Sequence, residues 1–181
     1  MENVLNTLFP PKCFYCGKNY GDICKSCLQK CKVARNYYCV VCDKPSIKGK
    51  THLVCVAENT PTGIFSAFEY KGIVRKCIMS SKYSSRTFAP LKKLSEEATY
   101  IASKCKIGYE GVVVVPIPLS KARSKQRGFN QASLIAAALT REFSLTLDES
   151  ILIRDKETKA QHEKTRKERF ENMKNAFKVE K

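Results

Sequence analysis

Three Cys-x2-Cys pairs fall within thirty residues of one another: Cys13/Cys16, Cys24/Cys27 and Cys39/Cys42, with Cys55 thirteen positions after the last. Two thiolates separated by two residues point from one tight turn toward a single ion, and two such turns complete a tetrahedron. Seven residues separate Cys16 from Cys24, enough for one hairpin joining two knuckles. A disulfide framework belongs to secreted chains, and buried free cysteines have no reason to recur at this interval. The spacing therefore predicts a small cysteine-built module over residues 1–60, folded around two structural Zn2+ ions. One site is regular, with Cys13, Cys16, Cys24 and Cys27. The other takes Cys39, Cys42, Cys55 and a fourth ligand: either His52, three residues before Cys55, or Glu58, where a fourth Cys-x2-Cys would end. Imidazole is the commoner partner of thiolates at structural zinc, which favours His52 and leaves Glu58 open. Cys31 is a further candidate whose spacing matches no pair, while Cys77 and Cys105 sit in helical apolar patterns and read as core residues.

Composition bounds the rest. With 43% hydrophobic and 28% charged residues, the 181-residue chain has the make-up of a globular protein, with room for one ordinary domain beside the module. No apolar run is long enough for a bilayer, so no membrane insertion is expected. The opening MENVLNTLFPP is too short and polar for a signal-peptide core and reads as a short amphipathic helix; a cytoplasmic location, with reduced thiols, follows. The formal charge is +16. Four thiolates around a dication carry a net −2, so two sites lower the total by about two to four units depending on the last ligand. The lysines and arginines are spread along the chain, as on a solvated surface, but the sign of the field favours phosphate-rich ligands. Phe14, Tyr15, Tyr37 and Tyr38 flank zinc ligands, where they either stack on bases or form the module's small core.

From residue 61 the pattern changes. Thr60-Pro61-Thr62-Gly63 reads as a linker or turn, and Ile64–Tyr70 as a strand. A helix is expected after Gly72, with Ile73, Val74, Cys77 and Ile78 inward. A longer one opens at Pro90, with Leu91, Leu94, Ala98, Ile101 and Cys105 on one face. Val112–Val115, four valines in a row, suits a parallel strand buried on both faces. A helix over Asn130–Phe143, with Leu134, Ile135, Ala138 and Leu139 buried, and a short strand at Ile151–Ile153 complete an α/β unit. Between the valines and that helix runs PIPLSKARSKQRGFNQ, with Lys121, Arg123, Lys125 and Arg127 at alternate positions. In open α/β sheets ligands sit beyond the carboxyl ends of the strands, and a helix N-terminus attracts anions. Gly128 allows close backbone approach, Arg127 can fork onto two phosphate oxygens, and Asn130 either caps the helix or joins the site. The loop thus reads as a phosphate-binding site.

These residues carry a family resemblance. The cysteine knuckles, Val115–Leu119 (VPIPL), Arg127–Gln131 (RGFNQ), Ser81-Lys82-Tyr83, Gln161 with Arg169, and Asn175-Ala176-Phe177 resemble, in order, the ComF/GntX family. Members resemble a double zinc ribbon joined to a type I phosphoribosyltransferase domain and are linked to competence and DNA uptake. The resemblance implies that residues 1–60 are a double zinc ribbon, followed, over 61–181, by an α/β domain with a parallel sheet and flanking helices. It also implies that the 116–131 loop handles the pyrophosphate end of phosphoribosyl pyrophosphate (PRPP), with Lys82, Arg123, Arg127, Gly128, Asn130, Gln131 and Arg169 as binding residues. Mg2+ would accompany PRPP only with the family's C-terminal part supplied. The family continues past the Asn-Ala-Phe segment into a strand with two acids and a Thr-Thr-Gly turn, its PRPP signature. Neither Asp-Asp nor Thr-Thr-Gly occurs here, so the expectation is a C-terminally truncated domain that does not turn over PRPP alone, with catalytic residues unassigned. The competing expectation is a non-enzymatic zinc-ribbon adaptor that binds single-stranded DNA or a DNA-translocation partner. The mixed charges of Arg154–Lys174, with Glu163/Lys167, Lys164/Glu168 and Lys167/Glu171 four apart, read as a solvated helix whose Gln161 and Arg169 face the active site in the family reading.

Overall fold

The computed structural model describes residues 12–18, 22–83, 87–105, 111–158 and 164–180. The amphipathic helix expected at the N-terminus, Gln161 and Glu163 lie outside the described residues.

The first two-thirds of the ribbon is built from knuckles rather than strands. At Cys13 the backbone N–H donates to Lys18 O (2.7 Å) and the Gly17 N–H returns to Cys13 O (2.9 Å). The same pair of bonds recurs twenty-six residues later, Cys39 to Lys44 O (2.9 Å) and Asp43 to Cys39 O (3.1 Å). Gly17 and Asp43 occupy the equivalent left-handed position, with φ of 74° and 56°. Helix α1 (Lys25–Leu28) follows Cys24, and a 3-10 turn (Leu53–Cys55) follows His52.

The second ribbon closes where two glycines cross. Ile64 N–H donates to Gly49 O (3.0 Å) and Thr51 N–H to Thr62 O (2.9 Å), so the stretch expected as a linker or turn folds back on the ribbon. A Cβ on Gly49 would stand 2.0 Å from the Ile64 carbonyl oxygen, and Gly49 is left-handed at φ 75°. The expected strand at Ile64–Tyr70 reduces to one antiparallel bridge, Phe68 to Val33, flanked by Ala34 N–H to Ala67 O and Glu69 N–H to Lys32 O. With a single irregular partner, those residues have no ladder to extend.

Helix α2 (Gly72–Ser81) buries Ile73, Val74, Cys77 and Ser81, and α3 (Phe88–Lys104) buries Pro90, Leu91, Leu94, Ser95, Thr99 and Ala102. The inward face of α3 is thus turned from the expected one. Ser95 and Thr99 stay buried because their hydroxyls donate to the carbonyls one turn back, Leu91 O and Ser95 O, both at 2.8 Å. Apolarity alone does not foresee this. Cys77 is fully buried, as expected, whereas Cys105 caps the end of α3 and is only half-buried.

Strand β1 (Val113–Val114) pairs in parallel with β2 (Thr146–Leu147), across α4 (Lys121–Arg127) and α5 (Gln131–Phe143). Here the valine run departs from expectation. Val112 and Val113 are 44% and 45% exposed, because β1 has one described neighbour and is not covered on both faces. On α5 the buried residues are Ala136 and Ala138, while Ile135 is 43% exposed. The segment expected as a continuous loop contains α4. The tail also differs: Arg154 ends strand β3 (Leu152–Arg154), α6 (Arg166–Met173) is the helical part among the described residues, and β4 (Phe177–Val179) pairs antiparallel with β3. Glu168, expected to pair with Lys164, instead closes a capping box with Thr165 (Thr165 N–H to Glu168 Oε2, 2.7 Å).

One hydrophobic core joins the ribbon to the helices. Cys13, Ile23, Cys24 and Cys27 of the first knuckle pair pack with Ile73, Val74 and Cys77 of α2 and Leu91 and Leu94 of α3. Cys31 lies partly buried against it. Among the described residues no helix is long and apolar enough to cross a membrane.

Candidate metal centres and an arginine cluster

The knuckles gather the predicted zinc ligands into two groups. The ligand atoms of Cys13, Cys16, Cys24 and Cys27 all lie within 4.8 Å of one another, and so do those of Cys39, Cys42, His52 and Cys55. Zn–S bonds near 2.3 Å on a tetrahedron place sulfurs about 3.8 Å apart, and a sulfur and an imidazole nitrogen about 3.6 Å apart. Cys16 Sγ to Cys24 Sγ is 3.7 Å, and Cys42 Sγ to His52 Nδ1 is 3.4 Å. The donor sets fit zinc.

His52 is oriented for the task. Its Nε2 lies 3.1 Å from the Pro45 carbonyl oxygen, an acceptor that holds the proton on Nε2 and leaves Nδ1 to face the thiolates. Its place in the sequence then has a simple explanation. Cys24 and Cys27 are three apart, with Cys27 N–H on Cys24 O (3.0 Å); His52 and Cys55 are three apart, with Cys55 N–H on His52 O (2.8 Å). The fourth knuckle is a complete His-x2-Cys, in which His52 stands where Cys24 stands in the first ribbon. His52, the favoured fourth ligand, is thus the one the fold brings in, while the alternative Glu58, three residues beyond Cys55, is exposed. With three thiolates and one imidazole at the second site, the two ions lower the formal +16 by about three units.

The local field sorts the thiols. A hydrogen bond from the Ser26 hydroxyl (3.2 Å), helped by the Cys27 backbone, lowers Cys24 to about 6. Backbone hydrogen bonds from Cys42 and His52 lower Cys39 to about 6. Burial, reinforced by the neighbouring thiols, raises Cys27 to about 12 and Cys55 to about 11. Once two thiolates share a small volume, further ones form only with a cation present.

The flanking aromatics differ in their surroundings. Tyr37 stacks on Phe65 (centroids 6.0 Å apart), and Phe14 and Tyr15 lie beneath the Lys76 ammonium, at 5.5 and 5.2 Å. Tyr38 is 46% exposed.

In the 116–131 segment each residue of RGFNQ has a physical task. Arg127 Nη1 donates to Gln131 Oε1 (3.2 Å), and Gln131 Nε2 donates to Ser81 O (2.6 Å), which ties the segment to Ser81-Lys82-Tyr83. Gly128 ends α4 at φ 76°. Phe129 meets Phe88 edge-on (5.3 Å) and packs on the core. Asn130 Oδ1 accepts from Ala132 N–H, and its Nδ2 donates to Ile117 O, both at 3.1 Å. At each of the two helix starts one backbone N–H is met by a side chain: Asn130 caps α5, and Glu157 Oε1 accepts the Ala122 N–H of α4 (3.1 Å). Positive charge gathers beside them on guanidiniums. Arg123 and Arg127 share one face of α4, and Arg154, which sequence reasoning missed, joins them from β3. Burial and the neighbouring Arg123 hold Arg127 below its usual value, with Arg154 adding to the effect. In the sequence Arg154 stands just past the expected strand and at the head of the expected solvated helix, where nothing marks it as a partner of Arg123 and Arg127. Lys82 is half-buried at the end of α2, and Arg169 lies exposed on α6.

Comparison with known proteins adds the lineage. The double zinc ribbon domain family matches residues 4–57. Competence protein ComFC of Bacillus subtilis (strain 168) is 30% identical over 130 residues, covering 66% of this chain and 52% of the relative. By these matches the chain is similar to members of the ComF family. Two shorter matches agree: competence protein F of Haemophilus influenzae, 38% identical over 64 residues (35% of this chain, 28% of the relative), and DNA utilization protein YhgH of Escherichia coli K12, 36% identical over 67 residues (37% and 30%). The match to each of these relatives covers about half of its length or less. No solved structure matches. The chain thus combines a double zinc ribbon that carries two candidate metal sites with helices and a small parallel strand pair.

Proposed function

We propose that this chain acts in DNA uptake or utilisation, as the names of its relatives suggest, and that it holds a phosphate-rich, PRPP-like ligand at the 116–131 segment. The observation that carries this reading is the arginine cluster: Arg127 and Arg123 on one face of α4, locked to Ser81-Lys82-Tyr83 through Gln131. Arginine matches phosphate because its planar fork offers paired donors at a fixed spacing. In this reading Arg123, Arg127, Lys82 and Arg169 supply charge, while Gly128, Asn130 and Gln131 shape the backbone around the ligand. The ribbon (1–60) is a structural support for the α/β part (61–181), and the protein works in the cytoplasm. Any transferase chemistry on PRPP, with its Mg2+, rests on acidic residues that the family supplies elsewhere.

A second reading rests on a different surface. The second ribbon exposes Ile47 (82%), Leu53 (92%), Val54 (95%) and Tyr38 beside Lys48 and Lys50, a surface suited to single-stranded DNA or a translocation partner. Titration of the zinc-loaded chain separates the two. PRPP binding that disappears in Arg127→Ala supports the first; salt-sensitive binding of a single-stranded oligonucleotide that survives Arg127→Ala, without PRPP binding, supports the second.

A further inference from the structure

We propose that Arg154 is a direct ligand of the phosphate-class anion addressed by Arg123 and Arg127, so that three guanidiniums from two elements form one clamp. The inference rests on the phosphate-binding reading above.

Two hydrogen bonds bring the guanidiniums together. Arg123 Nη2 donates to the carbonyl oxygen of Thr158 (3.1 Å), and Arg154 Nη2 donates to the hydroxyl of the same residue. Arg127 stands close enough to feel both charges. Arg154 is held in place from behind: its guanidinium carbon lies 5.5 Å over the ring of Phe177, its register partner on β4, and Met173 Sδ accepts from the Thr158 hydroxyl (3.9 Å). The Phe of the Asn-Ala-Phe segment thus aims an arginine.

Among the described residues the cluster is short of negative charge, three guanidiniums facing the single charge of Glu157, which acts on Arg123 and Arg154. Glu157 is the nearby acid, and its Oε1 is engaged by the Ala122 N–H; Asp155 is paired with Lys178. The Nε donors of Arg127 and Arg154 are buried and have no partner among the described residues. Arginine cannot relieve this by losing a proton, so the arrangement is costly until an anion enters. A phosphate or pyrophosphate group supplies both the charge and the acceptor pairs that guanidinium forks match.

The test is calorimetric titration of the full zinc-loaded chain with pyrophosphate and with inorganic phosphate. Zinc content and melting midpoint serve as controls for folding. Removing one charge-assisted contact weakens binding by about 10- to 100-fold, and Arg154→Met is expected to match Arg127→Ala within that range for pyrophosphate. If Arg127→Ala weakens binding and Arg154→Met changes it less than about twofold, well under one such contact, Arg154 is no ligand, and the phosphate-binding reading stands without it. If the unaltered chain binds neither anion, both fall. Should Arg154→Met fail to fold, Arg154→Lys keeps the charge and stem but removes the fork; pyrophosphate affinity equal to the unaltered chain overturns the clamp, and a clear loss supports it.

Discussion

His52 Nδ1 stands 3.4 Å from Cys42 Sγ while Nε2 of the same ring meets the Pro45 carbonyl at 3.1 Å. One face of the imidazole is thereby committed to the backbone and the other to the metal. Replacing His52 with Ala should lower the zinc content from two ions per chain to one, and Glu58→Ala should leave it at two. Mass spectrometry under native conditions reads the count directly. His52→Cys, which makes the second ribbon a copy of the first, should retain both ions. Full zinc in His52→Ala with loss in Glu58→Ala would reverse the assignment.

The thiol pattern sets a pH dependence. Cys24 and Cys39 sit at about 6, below the ordinary thiol value. Their thiolate contribution is complete above that ordinary value and is lost as pH falls through 6. Cys27 and Cys55, raised to about 12 and 11, keep their protons at neutral pH until zinc displaces them. Zinc binding near neutrality should therefore release at least one proton at each site, and retention should collapse on acidification through 6. Calorimetry in two buffers of different ionisation enthalpy measures the release. Equal heats in both buffers would contradict it.

Much of this was legible in the sequence because thiolate geometry is local. A Cys-x2-Cys spacing dictates its own turn, so Cys13, Cys16, Cys24, Cys27, Cys39 and Cys42 could be paired without knowing the fold. His52 was favoured over Glu58 on imidazole chemistry, and the interval agrees, since His52-x2-Cys55 repeats Cys24-x2-Cys27. The α5 boundary was legible through Asn130, whose cap is also local. Features set by distant partners were not. The valine run looks buried, but whether a strand is covered depends on neighbours that β1 does not have among the described residues. Ser95 and Thr99 face inward because each finds a carbonyl on its own helix, which a hydropathy pattern cannot register. Arg154 enters the cluster only because β3 pairs with β4 and sets it over Phe177.

The glycine crossing in the second ribbon separates two kinds of glycine. Gly17 and Gly49 are both left-handed, but a Cβ on Gly17 meets nothing within 4 Å, whereas on Gly49 it meets the Ile64 oxygen at 2.0 Å. Gly17→Ala should cost about 1 kcal/mol, the backbone strain alone. Gly49→Ala adds a backbone clash, and the total is on the order of 3 kcal/mol or more. Urea titration should rank the variants in that order, with zinc lost from the second site first in Gly49→Ala. Similar midpoints for the two would mean that the crossing tolerates a methyl group.

The two zinc ions should not be equivalent in their reach. Cys13, Cys24 and Cys27 share a core with Ile73, Val74, Cys77, Leu91 and Leu94, so the first ion fixes one wall of the packing for α2 and α3. The second site is ringed instead by exposed side chains, with Leu53 and Val54, the two residues between His52 and Cys55, 92% and 95% exposed. Removing a ligand from the first site leaves an unmet metal next to that shared core, at a cost on the order of 5 kcal/mol, comparable with the whole stability of a domain this size. Cys27→Ser should then lower helical circular dichroism and broaden the thermal transition across the whole chain. Cys55→Ser should release one zinc and leave the helical signal and its melting midpoint nearly unchanged. If Cys55→Ser melts the helices as fully as Cys27→Ser, the second ribbon is coupled to the α/β part by contacts beyond that core.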